Sequence, residues 1–372
     1  MLHRLSRTLE LADPAHSRML PMEGLRGLAV TLVFLQHYVY QVMTQLHLDP
    51  ISYAIAQAVR RYGNYGVELF FILSGFLIYG HLVGRRPPFT KFMMRRFERL
   101  YPTFIVVVAL AVVLHVSFDT GKIPADPVHA FFYIGAQLIF LPGVFPIQPI
   151  TSIFWSLSFE MFFYLLVGLA VSALHLDQRI KLFRIILICV CAVLLVVSSS
   201  MDFGIPMTGP AEPRIRALPF FAGMLLWEAE EAGWWSARAA LALAAPVLAF
   251  LLTSVVALPA VPQEVFHTIC LALLCSACFR GGNAAARAFV WTPIRWLGNM
   301  SYSYYLLHGF VTLAVLKVIL HSPLVAMLSI LFWSMLLPVY AASVVVSLGL
   351  FALVERPISL RPRVLVLVRA GV

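Results

Sequence analysis

Long apolar runs, broken at short intervals by basic clusters, Gly and Pro, follow one another along nearly the whole chain. A helical crossing of a bilayer needs about 20 predominantly apolar residues. By that measure the runs predict spans near residues 24–46, 64–83, 100–118, 152–174, 182–200, 214–230, 238–258, 264–280, 296–320 and 325–354. The stretch 128–141, VHAFFYIGAQLIFL, is only about 14 residues long and is followed by Pro142, Pro146 and Pro149. Its length predicts a re-entrant or interfacial piece. The expected fold is an all-α, polytopic membrane helix bundle of about ten transmembrane helices. Residues 24–354 form the membrane domain, 1–23 a cytoplasmic N-terminal segment and 355–372 a cytoplasmic tail.

Composition supports lipid as the main solvent. Of 372 residues, 61% are hydrophobic and 12% charged, whereas soluble domains carry about 25% charged residues. The first twenty residues are polar and lack the apolar core of a cleaved signal, so the first hydrophobic run is expected to stay as an anchor. Five cysteines, Cys189, Cys191, Cys270, Cys275 and Cys278, lie in or beside apolar stretches. Cys275 and Cys278 have ligand spacing, but a structural zinc site wants four ligands, so inert thiols and no metal are expected.

The net charge of +10 is explained by membrane orientation. Lys and Arg concentrate on cytoplasmic loops, and the basic residues lack the aromatic-interleaved pattern of a nucleic-acid surface. With the N-terminus inside and 128–141 not crossing, 21 Lys and Arg fall on the cytoplasmic side and six outside. If that segment crossed, the division would be 13 to 14. Both termini are therefore expected in the cytoplasm, with no nucleic acid as partner.

Ionisable groups inside spans are costly unless paired or wetted, so each is a functional candidate beside the alternative of a paired structural group. The first span carries Glu23, Arg26, Gln36 and His37. Arg26 and His37 are eleven residues apart, almost three turns, which puts them on one face about 16 Å apart along the axis. Arg95, Arg96 and Arg99 open the third span. They read either as an orientation and lipid-headgroup signal or, with Arg26, as a phosphate-binding mouth, because guanidinium grips phosphate bidentately. The fourth span holds Trp155, Ser156, Ser158, Glu160 and Tyr164. Glu160 and His37 lie at matched depth and could pair, either catalytically or structurally. Glu68, Ser74 and His308 are further candidates, with Tyr302, Tyr304 or Tyr305 available to satisfy His308. Glu355 is expected to pair with a cytoplasmic Arg, and the Gly of SGF to permit close helix packing.

Taken in order, MEGLRGLAVTLVFLQH, GVELFFILSGFLI, RRFERLYP, FWSLSFEMFFYLL, RIRALPFFAGMLL, LGNMSYSYYLLHG and the terminal ERP resemble the type 3 family of bacterial integral-membrane acyltransferases, from residue 22 to 357. Glu23 stands where Asp is commoner in that family. The resemblance implies O-acylation in the cytoplasmic (inner) membrane, with acyl-coenzyme A, most simply acetyl-coenzyme A, as donor and no permanently bound cofactor. The implied acceptor is a cell-surface polysaccharide, an exopolysaccharide for example, or its lipid-linked precursor, such as a polyprenyl-linked one. The esterase-like domain fused to some members is not expected. On this reading Arg26, Arg96, Arg99 and Glu23 take the donor, and His37 is general base with Glu160 holding it. Trp155, Ser156, Tyr164, Glu68, Ser74 and His308 support the site or substrate. A transporter or flippase, or an acyltransferase acting on a small molecule such as an antibiotic or lipid headgroup, would use similar residues, although no internal repeat of the transporter kind is present.

Overall fold

The computed structural model describes residues 8–10, 20–43, 48–118, 121–201, 215–233, 245, 252, 258–279, 283–320 and 328–360. Among them there is no strand, only an isolated bridge between Pro142 and Phe145. The helices are α1 (Leu20–Met43), α2 (Pro50–Gly63), α3 (Tyr65–Arg85), α4 (Phe89–Ser117), α5 (Pro127–Leu138) and α6 (Phe154–Ala173). They continue with α7 (Lys181–Ser199), α8 (Leu218–Ala232), α9 (Ala260–Phe279), α10 (Ala284–Phe289), α11 (Thr292–Asn299), α12 (Ser301–Leu320) and α13 (Leu328–Leu350).

Six stretches among the described residues are long and apolar enough to cross a bilayer: Pro50–Arg85, Phe89–Ser117, Phe154–Ala173, Lys181–Ser199, Ala260–Phe279 and Phe332–Ser359. α1 and α12 are as long but carry polar groups such as Arg26, His37, Ser303 and His308. The predicted span 238–258 lies almost wholly outside the described residues. At 12 residues, α5 is about 18 Å long, short of the roughly 30 Å hydrocarbon core, in keeping with the expectation for 128–141. Asp126 caps it, accepting from the His129 amide at 2.8 Å, and the His129 bonds hold its carboxyl below the usual carboxylate range.

The polarity of the bundle is that of a protein dissolved in lipid. Leu182, Ile186, Val190, Val193 and Leu194 of α7 are exposed, while Glu68, Arg184, Glu228, His308 and Glu355 are buried. Buried charge must be paired. Accordingly Arg184 on α7 grips Glu228 on α8 through two bonds of 2.6 and 2.9 Å, and the Tyr79 hydroxyl of α3 donates to the same carboxylate at 2.6 Å.

Close backbone approach holds the centre. A Cβ on Gly75 of α3 would strike the Phe220 carbonyl of α8, and one on Gly223 of α8 would strike the Ile72 carbonyl of α3. These two helices touch with no layer of side chains between them, as expected for the Gly of SGF.

Three boundaries differ from the sequence reading. The polar stretch at 50–63 is a helix, begun by Asp49, which accepts from the amides of Ile51 and Ser52 at 3.1 and 3.0 Å, with Pro50 in the first turn. The arginines of RRFERLYP lie within α4, which begins at Phe89. The predicted 296–320 span is two helices, parted at Met300. The last helix widens into a π-helical segment, Phe351–Ser359, a geometry frequent at functional sites.

Candidate active site

Five helices converge on a cavity of about 160 Å³. Arg26 comes from α1, Ser74 from α3, Arg96 and Arg99 from α4, Ser156, Glu160 and Tyr164 from α6, and Tyr302 and Tyr305 from α12. Seven residues singled out in the sequence thus line one chamber. The charges on its wall are three guanidiniums and one carboxylate, which suits an anionic ligand.

The two α4 arginines are held differently. Arg99 pairs with Glu355 at 2.8 Å, and Glu355 in turn accepts from the Ser303 amide at 3.1 Å and its hydroxyl at 2.5 Å. The π-helical segment presents this carboxylate, whose side chain is 0% exposed. Among the described residues Arg96 has no carboxylate partner; its guanidinium lies 5.5 Å from the Phe92 ring and 5.8 Å from the Tyr164 ring, and its Nε lacks a hydrogen-bond partner. Of these two, Arg96 is therefore the more available to a phosphate.

Glu160 does not hold His37. Its Oε1 accepts from Ser74 at 3.0 Å and from the Tyr164 hydroxyl. The depth estimate matched the two residues along the membrane normal but carried no information on which helix faces which. His37 instead faces His308 of α12, with ring centroids 5.0 Å apart. His308 Nδ1 donates to the Tyr304 carbonyl at 3.1 Å, so no Tyr hydroxyl satisfies it, and its Nε2 is buried without a partner. With Nδ1 carrying the proton, Nε2 of the neutral ring is a free lone pair. His308 is fully buried, whereas His37 keeps partial exposure.

The imidazole pair adjoins the cavity through Tyr305, whose ring centroid is 6.0 Å from that of His308. The Tyr305 and Ser156 hydroxyls are 2.6 Å apart, and each lies within hydrogen-bond distance of the Ile153 carbonyl, at 3.1 and 3.2 Å; with one proton apiece, one donates to the carbonyl while the other donates to its neighbour. Tyr305 was considered from sequence only as a donor to His308. The spacing that marks it is Tyr302, Tyr305 and His308, in steps of three on one helix face.

Three candidates stand apart. Glu23 pairs with Arg295 of α11 at 3.0 Å and braces α11 on α1 instead of joining the donor arginines. Trp155 packs on Phe71 and Phe159, with the Arg216 guanidinium 4.9 Å from its ring. Glu68 meets Glu264 of α9, with Arg216 as the cation near both. Beside them Tyr65 bonds His267 at 2.8 Å. Glu264, Arg216 and His267 escaped the sequence reading because nothing in their spacing links α9 to α3.

An acyltransferase domain model matches residues 21–352. The chain is 24% identical over 379 aligned positions to the provisionally named peptidoglycan O-acetyltransferase YrhL of Bacillus subtilis (strain 168), covering 92% of this chain and 55% of that protein. It is 28% identical to the peptidoglycan O-acetyltransferase OatA of Listeria monocytogenes serovar 1/2a over 39% of this chain and 23% of that protein. It is 27% identical to the O-acetyltransferase OatA of Staphylococcus aureus (strain NCTC 8325) over 42% of this chain and 25% of that protein. The chain thus spans about half the length of YrhL and a quarter of the OatA proteins. No solved structure matches. A family match over almost the whole chain, on a helical bundle with apolar faces outward and charge inward, makes this a membrane protein of the type 3 acyltransferase family.

Proposed function

We propose that the protein moves an acyl group, most simply acetyl, from cytoplasmic acyl-coenzyme A to a hydroxyl of a cell-surface polysaccharide or of its lipid-linked precursor. The observation that carries this is the chamber where three arginines meet a hydroxyl pair, with two imidazoles directly behind it. The relatives named for peptidoglycan acetylation support a glycan acceptor. The basic-residue count supports an arginine end that faces the cytoplasm, and with the family an inner-membrane location. A chamber of about 160 Å³ admits the thioester end of the donor and leaves its nucleotide at the mouth, where Arg26, Arg96 and Arg99 bind phosphate.

Each residue then has a step. The acceptor oxygen attacks the thioester carbonyl carbon while His37, the more accessible imidazole, takes the hydroxyl proton. The Ser156 and Tyr305 hydroxyls turn from the Ile153 carbonyl to the oxyanion. Collapse breaks the carbon–sulfur bond, and the imidazolium returns its proton to the departing thiolate, so no net proton is released. Glu160, fixed by Ser74 and Tyr164, positions the chamber wall. The two imidazoles lie 5.0 Å apart, and His308, anchored on the Tyr304 carbonyl, keeps the pair oriented. Free-thiol release from acetyl-coenzyme A by the protein in nanodiscs tests the reading; turnover that persists in His37→Ala would overturn it.

A further inference from the structure

A run of four stacked phenylalanine rings stands between the arginine chamber and a separate apolar pocket. Phe71 of α3 stacks on Phe159 of α6 and on Phe220 of α8, with ring centroids 6.4 and 4.2 Å away and planes 21° and 20° from parallel. Phe220 stacks in turn on Phe163, one turn after Phe159 on α6, at 4.2 Å and 13°. The two inner rings, Phe71 and Phe220, are buried. Phe71 lines the arginine chamber, whereas Phe159, Phe163 and Phe220 line a pocket of about 440 Å³ between α6, α7 and α8. That volume is within the range of ligand sites, roughly 300–1,000 Å³, and the described lining of the pocket holds no charged group.

The stack begins beside the hydroxyl pair. Phe70, next to Phe71, meets the Tyr305 ring edge-on at 6.3 Å, and Trp155, next to Ser156, meets the Phe71 ring edge-on at 6.5 Å. Ser156 and Phe159 are three residues apart, on one face of α6. A thioester carbonyl bound at the Ser156 and Tyr305 hydroxyls therefore has Phe71 as a wall for the carbon chain it carries. That wall has little slack. Gly75, one turn after Phe71, and Gly223, three residues after Phe220, are where α3 and α8 touch main chain to main chain, and a Cβ on Gly75 would strike the carbonyl of Phe220 itself. With both backbones fixed, a chain that presses on the rings meets the cost of overpacking.

We propose that the Phe71 and Phe220 stack sets the length of the acyl group. It limits the donor to acetyl or propionyl, and the pocket behind it is the space that a medium-chain acyl group enters once the stack is reduced. This rests on the proposed acyl transfer and adds the residues that choose the group transferred. Phe71 and Phe220 determine specificity and take no part in the chemistry, since neither side chain has a polar atom to offer the reacting carbonyl.

The test compares thiol release from acetyl-, butyryl- and hexanoyl-coenzyme A by the full chain in nanodiscs, with displacement of labelled coenzyme A by each donor measured on the same samples. Wild type should use acetyl-coenzyme A about tenfold or more better than hexanoyl-coenzyme A. Phe71→Leu should raise the hexanoyl-to-acetyl ratio of kcat/KM by about tenfold or more, the gain that two newly buried methylenes supply. Phe220→Leu should do the same from the other side of the stack, which keeps the test if one variant fails to fold. Adding Ala170→Phe, at a position that lines the pocket and not the chamber, should abolish the gain, whereas a general loosening of the site would keep it. Equal use of acetyl and hexanoyl by wild type, an unchanged ratio in the folded leucine variants, or a gain that survives Ala170→Phe would overturn the assignment. Where donors bind without turnover, the displacement series reads the same ratio. Wild-type thiol release with an unchanged ratio strikes this inference alone, and neither release nor coenzyme A binding strikes the acyl-transfer reading and this inference with it.

Discussion

His37 on α1 and His308 on α12 face each other at 5.0 Å between ring centroids, 271 positions apart in the chain. The inner ring, His308, is anchored by the Tyr304 carbonyl, and the outer one, His37, stays partly exposed. His37→Ala should lower the rate of thiol release by about 10²–10⁴-fold, the usual contribution of a general base. Coenzyme A binding should survive, because His37 is not part of the arginine chamber. Steady-state thiol release and titration calorimetry on the same preparation separate the two effects.

Arg96 and Arg99 are neighbours whose removal should read differently. Arg96→Ala should weaken coenzyme A binding with little loss of stability, since no carboxylate among the described residues is paired with it and its guanidinium lies over the rings of Phe92 and Tyr164. Arg99→Ala strands the buried Glu355 carboxylate, which typically costs about 3–5 kcal/mol. A thermal melt in detergent should drop for Arg99→Ala and hold for Arg96→Ala. Adding Glu355→Gln to Arg99→Ala should recover part of the loss.

Ser156→Ala and Tyr305→Phe should each reduce kcat with little change in coenzyme A affinity, because the oxyanion exists only during transfer. Loss of one such donor is worth about 10²–10³-fold. A change in KM alone would move the hydroxyl pair from the chemistry to substrate fit.

Gly75→Ala or Gly223→Ala should destabilise the bundle by at least the about 1–3 kcal/mol typical of overpacking, because the new methyl meets a main-chain carbonyl that no rotamer change can move aside. Gly233→Ala, at a helix end with open space around it but a left-handed φ of 68°, should cost only its backbone strain, about 1 kcal/mol. Melting temperatures of the three variants rank them.

The polar residues of the arginine chamber were legible in the sequence because their chemistry contradicts their surroundings: Arg26, Ser74, Arg96, Arg99, Glu160 and Tyr164 lie within or beside apolar runs. Their meeting in one chamber was not, since helical rise set Glu160 at the depth of His37, about 16 Å from Arg26. The pairing of Glu355 with an arginine followed from the same logic. Lateral neighbours were not legible. Depth matched Glu160 to His37, yet α6 turns Glu160 toward Ser74 of α3 while α1 turns His37 toward α12. Glu23 looked like part of the donor mouth because it is three residues from Arg26, but the α11 segment that carries Arg295 is nearly 270 residues away in the chain. Hydropathy found the long helices and passed over α2, whose start is written in Asp49 and Pro50, because an amphipathic helix has no continuous apolar run.

The Ser156 and Tyr305 hydroxyls line the arginine chamber, and the Ile153 residue whose carbonyl both reach lines a second cavity of about 750 Å³. Water filling both chambers would bring the two aqueous phases within a few side chains of each other and concentrate the membrane voltage on that short path. Moving one elementary charge through the full potential is worth about 2.3 kcal/mol per 100 mV. A thiolate leaving, or a proton returning, across this septum would therefore feel much of the potential within a single bond-making step. If the proposed transfer crosses this septum, its rate will depend on how strongly the membrane is energised as well as on the concentrations of its substrates.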